Sequence, residues 1–210
     1  MFQWFTYFTL ALGFLPMAIF VFGKRRVSLE TRFVFPYIIL LSVASAYEFV
    51  FSLWLLYNVN LWFSSYLLLE FLTISYFFCR LLRSWKLWCG VALAYVVFFL
   101  LLHFQRRENN ELVLDGYLSA VTFVATVVLA TAWFVRSMKE LAYGYLVKDY
   151  VFLYVGAILV YLAGTLFLFL FSGLIYDQNH DAFIELWWLN ILFSFISRIV
   201  FSVAVWRDRT

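Results

Sequence analysis

Charge, cysteine, histidine and proline are all scarce in this chain, and each shortage excludes a class of protein. Only 13% of the 210 residues are charged, against about 25% in a soluble domain. The hydrophobic share of 66% exceeds the usual ~45–50%, so more apolar surface is present than a soluble core can bury. Two cysteines, Cys79 and Cys89, are too few for a disulfide framework and lack the clustered spacing of a zinc site or redox pair. Two histidines, His103 and His180, fall short of the three or four converging ligands of a zinc centre. Together with Asp177, Asp181 and Glu185 they are expected to be solvated loop polarity, and neither metal nor cofactor is expected. No Gly-rich phosphate loop or Gly-x-Ser-x-Gly elbow occurs. The last apolar run holds Arg198 and no lysine, which excludes a retinal Schiff base. Enzymatic activity is not expected.

What is present is a series of seven apolar runs, near 4–23, 33–56, 61–82, 86–104, 116–136, 150–176 and 185–206. Crossing the hydrocarbon core as a helix takes roughly 20 apolar residues, and open strands cannot satisfy their backbone groups in lipid. Stretches such as Phe98-Phe99-Leu100-Leu101-Leu102 are apolar on every side, so β-barrel alternation is absent. The expected fold is all-α: a polytopic membrane protein whose residues 1–210 form a single seven-helix transmembrane domain with no soluble domain.

Charge sets the expected orientation. Lys24, Arg25, Arg26 and Arg32 follow the first run, Arg80, Arg83 and Lys86 the third, Arg136, Lys139 and Lys148 the fifth, and Arg207 and Arg209 the seventh. The alternate loops hold Asn58 and Asn60, then a mixed Arg106-Arg107-Glu108, then Asp177, Asp181 and Glu185. Positive loops stay in the cytoplasm, which puts the N-terminus outside and the C-terminus inside a plasma (inner) membrane. Met1-Phe2-Gln3-Trp4 carries no basic side chain, so the first run is expected to be a retained helix rather than a cleaved signal. A net charge of +3 concentrated in those loops is accounted for by insertion and leaflet attraction, with no nucleic acid. On this orientation both cysteines lie near cytoplasmic helix ends and are expected to act as small buried hydrophobes.

Ionisable residues inside a span cost about 2.5–3.5 kcal/mol at the bilayer centre and mark functional or paired positions. Three fall within the runs: Glu48, Glu70 and Arg198. At about 1.5 Å per residue, Glu70 and Arg198 have compatible depths, so an Arg198–Glu70 pair with Glu48 nearby is expected. Tyr47, Tyr66 and Tyr76 are candidate hydrogen-bond partners for the carboxylates. Asn190, Ser194 and Ser197 form an i, i+4, i+7 stripe in the last run, and Glu70 and Thr73 share a face of the third. Glu48, Glu70, Asn190, Arg198 and Tyr66 are therefore the candidate ligand- or ion-binding residues, with a structural ion pair as the alternative account.

Small residues make two packing faces, Ala120, Thr122, Ala125, Thr126, Ala130 and Thr131 in the fifth run and Gly156, Ala157, Ala163 and Gly164 in the sixth, since they let helix backbones approach. Pro16 is expected to kink the first run, and Pro36 to sit in the first turn of the second, where proline is tolerated.

Asn60-Leu-Trp-Phe with Leu68-Leu69-Glu70-Phe71, the run Leu159-Val160-Tyr161-Leu162-Ala163-Gly164-Thr165, and Asn190-Ile191-Leu192 resemble a group of small seven-helix membrane proteins common in Bacteroidota. The resemblance covers the third, sixth and seventh runs, implies no activity, and points to Glu70 and Asn190. Three functions are consistent with the residues. The leading one is a sensor or transducer subunit whose polar pocket acts through a protein partner at the basic cytoplasmic loops. The others are an ion- or proton-conducting assembly and a structural subunit of a membrane complex. The lipid bilayer and a homo-oligomer complete the expected associations.

Overall fold

The computed structural model describes residues 2–23, 27–54, 60–105, 111–140, 150–178 and 180–209. Lys24, Arg25, Arg26, Asn58, Arg106, Arg107, Glu108 and Lys148 lie outside the described residues, as do the side chains of Asn60, Asp177, His180, Asp181, Glu185 and Arg209. The described residues are helical, with no strand among them. Eight α-helices follow in order: α1 (Phe2–Leu12), α2 (Leu15–Phe22), α3 (Leu29–Tyr47), α4 (Asn60–Leu81), α5 (Trp85–Phe104), α6 (Glu111–Glu140), α7 (Tyr150–Gln178) and α8 (His180–Arg209). A π-helical segment, Glu48–Trp54, continues α3. With α1 and α2 counted as one span, seven helices are long and apolar enough to cross a membrane.

Pro16 does more than kink the first span. The helix breaks at Gly13–Phe14 and restarts at Leu15, with the proline in the first turn of α2. Around the break, the amides of Gly13 and Phe14 donate three residues back, to Leu10 O (3.0 Å) and Ala11 O (3.2 Å). Tightening of this kind leaves earlier carbonyls without their usual i+4 donor. At the break itself, Ser42 of α3 donates to Gly13 O at 3.0 Å. The carbonyl of Thr9, passed over by the Gly13 amide, becomes part of the candidate site.

Pro36 is also placed differently from expectation. Ser28 caps α3 by accepting from the Thr31 amide at 3.2 Å, so the helix starts four residues earlier than the apolar run and Pro36 lies inside it. The polar turn Leu29–Arg32 was invisible to hydropathy because it is helical but not apolar. At the junction of α4 and α5, Arg83 adopts a left-handed φ of 56°. The Ser84 amide reaches back to Cys79 O at 2.9 Å, closing the tight reversal that helix C-termini often use.

α7 packs most extensively against α8 and then α6, while α3 and α6 flank α4. The small-residue faces serve these contacts: Thr122, Thr126, Ala130 and Ala157 are buried, and Gly116 meets the backbone of Phe169. Thr131 and Ala163 face outward. The apolar core lies in the half of the bundle holding the start of α3 and α7 and the end of α4 and α8. There Val34, Ile38, Ile74, Phe77, Phe78, Tyr154, Ile158, Phe201 and Val205 are essentially inaccessible. α5 is peripheral. It stacks Tyr95 on Phe71 with ring centroids 3.7 Å apart and turns Leu93, Val97, Leu100 and Leu101 outward. Cys79 is buried as expected, but Cys89, on this outer helix, is exposed.

Candidate functional site

The half of the bundle that carries the N-terminus is less tightly filled. A cavity of about 230 Å³ is lined by Tyr47 and Glu48 from α3 and its π-helical extension, Trp62, Phe63 and Tyr66 from α4, Tyr161 and Phe169 from α7, and Trp187, Asn190, Ser194 and Arg198 from α8. Two smaller spaces adjoin it, of about 40 and 30 Å³, and Arg198 lines all three. From Trp187 to Arg198 along α8 is roughly 16 Å at 1.5 Å per residue, so the guanidinium lies deep in the bundle.

Local structure aims each group. Asn190, Ser194 and Arg198 recur every four residues and share one face of α8. The last of that polar stripe, Ser197, turns instead to α7 and donates to Ala157 O at 3.1 Å. Glu48 opens the π-helical segment, and such wide turns re-aim side chains and recur at functional sites. Arg198 is 7% exposed, and its Nη1 donates to the Thr9 carbonyl. The break before Pro16 thus supplies the acceptor that holds the guanidinium. Its Nε, and Oδ1 of Asn190, are buried without a hydrogen-bond partner among the described residues.

Glu70 does not line the cavity. It is 2% exposed and sits behind Tyr66, whose hydroxyl donates to its carboxylate at 3.0 Å. The Tyr37 hydroxyl lies beside the same carboxylate but outside hydrogen-bonding geometry. The expected Arg198–Glu70 ion pair is therefore not formed; among the described residues no ion pair joins Arg198 to either carboxylate. Rotation about the helix axes sends Glu70 toward two tyrosines and Arg198 toward α1. Of the two carboxylates, Glu48 shares the cavity with Arg198. Tyr47 lines the cavity as a ring, stacked on Phe51 and Trp62, rather than as a donor to a carboxylate. Tyr76 faces the other end, against Trp85 and Trp88 with Arg80 over its ring. Thr73 donates to carbonyls of its own helix, Leu69 and Glu70.

A further ionisable residue is buried in the bundle besides those the sequence pointed to. Asp115 is 4% exposed and accepts a hydrogen bond from Ser64 at 3.2 Å. Starting the fifth run at 116 consigned it to a loop, whereas α6 begins at Glu111. The signal was present, since Asp115, Ser119, Thr122 and Thr126 follow helical spacing and are all buried. Thr9, Tyr37 and Tyr161 are further neighbours of the site that carry no sequence signal beyond being polar in an apolar run. His103 is exposed and stacks against Phe99. Among the described residues no group of three His, Cys, Asp or Glu side chains converges as a metal site would require.

In comparisons with protein-family models, with curated proteins and with solved structures, nothing matches this chain.

Proposed function

We propose that the protein is a sensor or transducer subunit of the plasma (inner) membrane that binds a small ligand in the cavity beside Arg198. The observation that carries this is the pairing of an open polar chamber with a sealed floor. Buried polar groups without partners, Nε of Arg198 and Oδ1 of Asn190, are costly by about 1–3 kcal/mol each and become satisfied when a ligand supplies the missing bonds. Beneath them the core around Phe77, Phe78, Tyr154 and Phe201 is essentially inaccessible, which favours a binding chamber over a conducting path. Basic loops favour an N-out orientation, so the cavity faces the exterior and the packed half the cytoplasm.

Coupling to the inner side has a physical route. At the far end, the Ser28 amide donates to Asp208 at 2.9 Å and the Tyr150 hydroxyl to Glu30 at 3.3 Å, tying α3, α7 and α8 where they emerge. The same helices supply Glu48, Tyr161 and Arg198 to the cavity, so ligand-driven movement of α8 is felt at both ends. Output passes to a protein partner that recognises the basic loops.

Two measurements test this. Reporter fusions after Asn60 and after Arg209 should be exported and cytoplasmic, respectively; the opposite pattern removes the premise that the cavity faces outward. In liposomes the purified protein should pass no cations, and a cation flux abolished by Glu70→Gln would replace the sensor with a channel.

A further inference from the structure

We propose that the cavity selects a small zwitterion, with its carboxylate on the Nε side of Arg198 and its ammonium on Glu48; this rests on the ligand-binding function proposed above. A guanidinium offers paired parallel donors along its Nε side, a geometry matched to the two oxygens of a carboxylate. Thr9 engages Nη1, which holds the plane of the group while Nε stays without an acceptor among the described residues. The protein therefore orients Arg198, a residue that lines the cavity, through Nη1 and leaves its buried Nε without an acceptor among the described residues.

Acceptors in the same chamber require the opposite chemistry. Oδ1 of Asn190 is buried and unmet, and only an N–H or O–H can serve it. The carboxylate of Glu48 lines the cavity with Arg198 without an ion pair between them among the described residues. A simple anion would answer Arg198 but face Glu48 and leave Asn190 unmet. A simple cation would answer Glu48 and face Arg198. One molecule carrying both charges satisfies all three groups. The rings of Trp62 and Trp187 also line the space, and aromatic faces attract ammonium groups. A volume of about 230 Å³, below the ~300–1,000 Å³ typical of drug-sized sites, restricts the ligand to small-metabolite size.

The test uses the purified full chain and a defined probe set: ω-amino carboxylates from glycine to 6-aminohexanoate, with hexanoate and hexylamine as single-charge controls. Binding is read by calorimetry and by quenching of tryptophan fluorescence. At least one zwitterion should bind tenfold or more tightly than both controls. Glu48→Gln should weaken that zwitterion at least tenfold without weakening hexanoate, and Arg198→Lys should weaken every carboxylate at least tenfold. Should Arg198→Lys fail to fold, Asn190→Ala reads the same site, with a threefold or greater loss for the zwitterion and none for hexanoate. Hexanoate binding as tightly as every zwitterion overturns the zwitterion while leaving a ligand cavity in place. Silence from every probe also overturns it, and the liposome flux measurement then decides the proposed function separately.

Discussion

Three glycines on α6 and α7 offer a graded test of how this bundle is packed. A Cβ added at Gly116 would lie 2.6 Å from the carbonyl oxygen of Phe169 and 3.3 Å from its carbon. Both are backbone atoms of the neighbouring helix, so no side-chain rotation relieves the clash, and α6 and α7 must separate along a much-used interface. Overpacking of this kind costs about 1–3 kcal/mol, offset by up to ~1 kcal/mol of helix propensity gained on replacing glycine by alanine. With only backbone to yield, the upper part of that range applies, about 2–3 kcal/mol, so Gly116→Ala should destabilise by about 1–2 kcal/mol after the ~1 kcal/mol of propensity is subtracted. At Gly164 the obstacle is the ring of Phe193, 2.2 Å from the added carbon. That ring is a side chain and can swing aside, so Gly164→Ala should cost less than Gly116→Ala. Gly156 has nothing within 4 Å, and Gly156→Ala should be neutral or stabilising by up to about 1 kcal/mol. Thermal or denaturant unfolding of the three variants in one detergent measures the order. Gly116→Ala as stable as the parent, or Gly156→Ala less stable than Gly116→Ala, would refute the close approach of α6 and α7.

Other outcomes follow from the polar contacts. Because Arg198 and Glu70 do not pair, Arg198→Leu and Glu70→Leu should combine with a coupling below about 1 kcal/mol, well short of the ~3–5 kcal/mol lost when one partner of a buried pair is removed; a double-mutant cycle measures it, and a coupling above 2 kcal/mol would restore the ion pair. Ser64→Ala and Asp115→Ala should instead be coupled by about 1.5–3 kcal/mol, the scale of a buried hydrogen bond to a charged acceptor; additive losses would sink that contact. Cys89 should react with a membrane-permeant maleimide in the folded protein while Cys79, 0% exposed, resists until denaturation; equal labelling would contradict the peripheral position of α5. Ser42→Ala should cost about 1 kcal/mol by removing the donor to Gly13 O, and an unchanged unfolding midpoint would argue against that bond.

Much of the molecule was legible in the chain because lipid imposes a simple rule. Apolar runs of helical length had to become helices, so seven spans and the small-residue faces of α6 and α7 could be read without coordinates. The run boundaries shifted wherever a helix continued into polar sequence, as at Leu29–Arg32 and Glu111–Asp115, because hydropathy marks the membrane and not the hydrogen-bond ladder. Glu48, Glu70 and Arg198 were recognisable as costly ionisable residues in an apolar setting, with Tyr66 and Asn190 as polar neighbours, and all of these but Glu70 line one cavity. Which of them meet was decided only by the tertiary fold. Spacing along a helix gives depth, but partner choice depends on the rotation of each helix about its own axis, which side-chain packing sets. The breaks at Gly13–Phe14 and Glu48–Trp54 belong to the same level. The first releases the Thr9 carbonyl to Arg198, the second begins at Glu48, and neither bears on the cavity until α1, α3 and α8 are packed together.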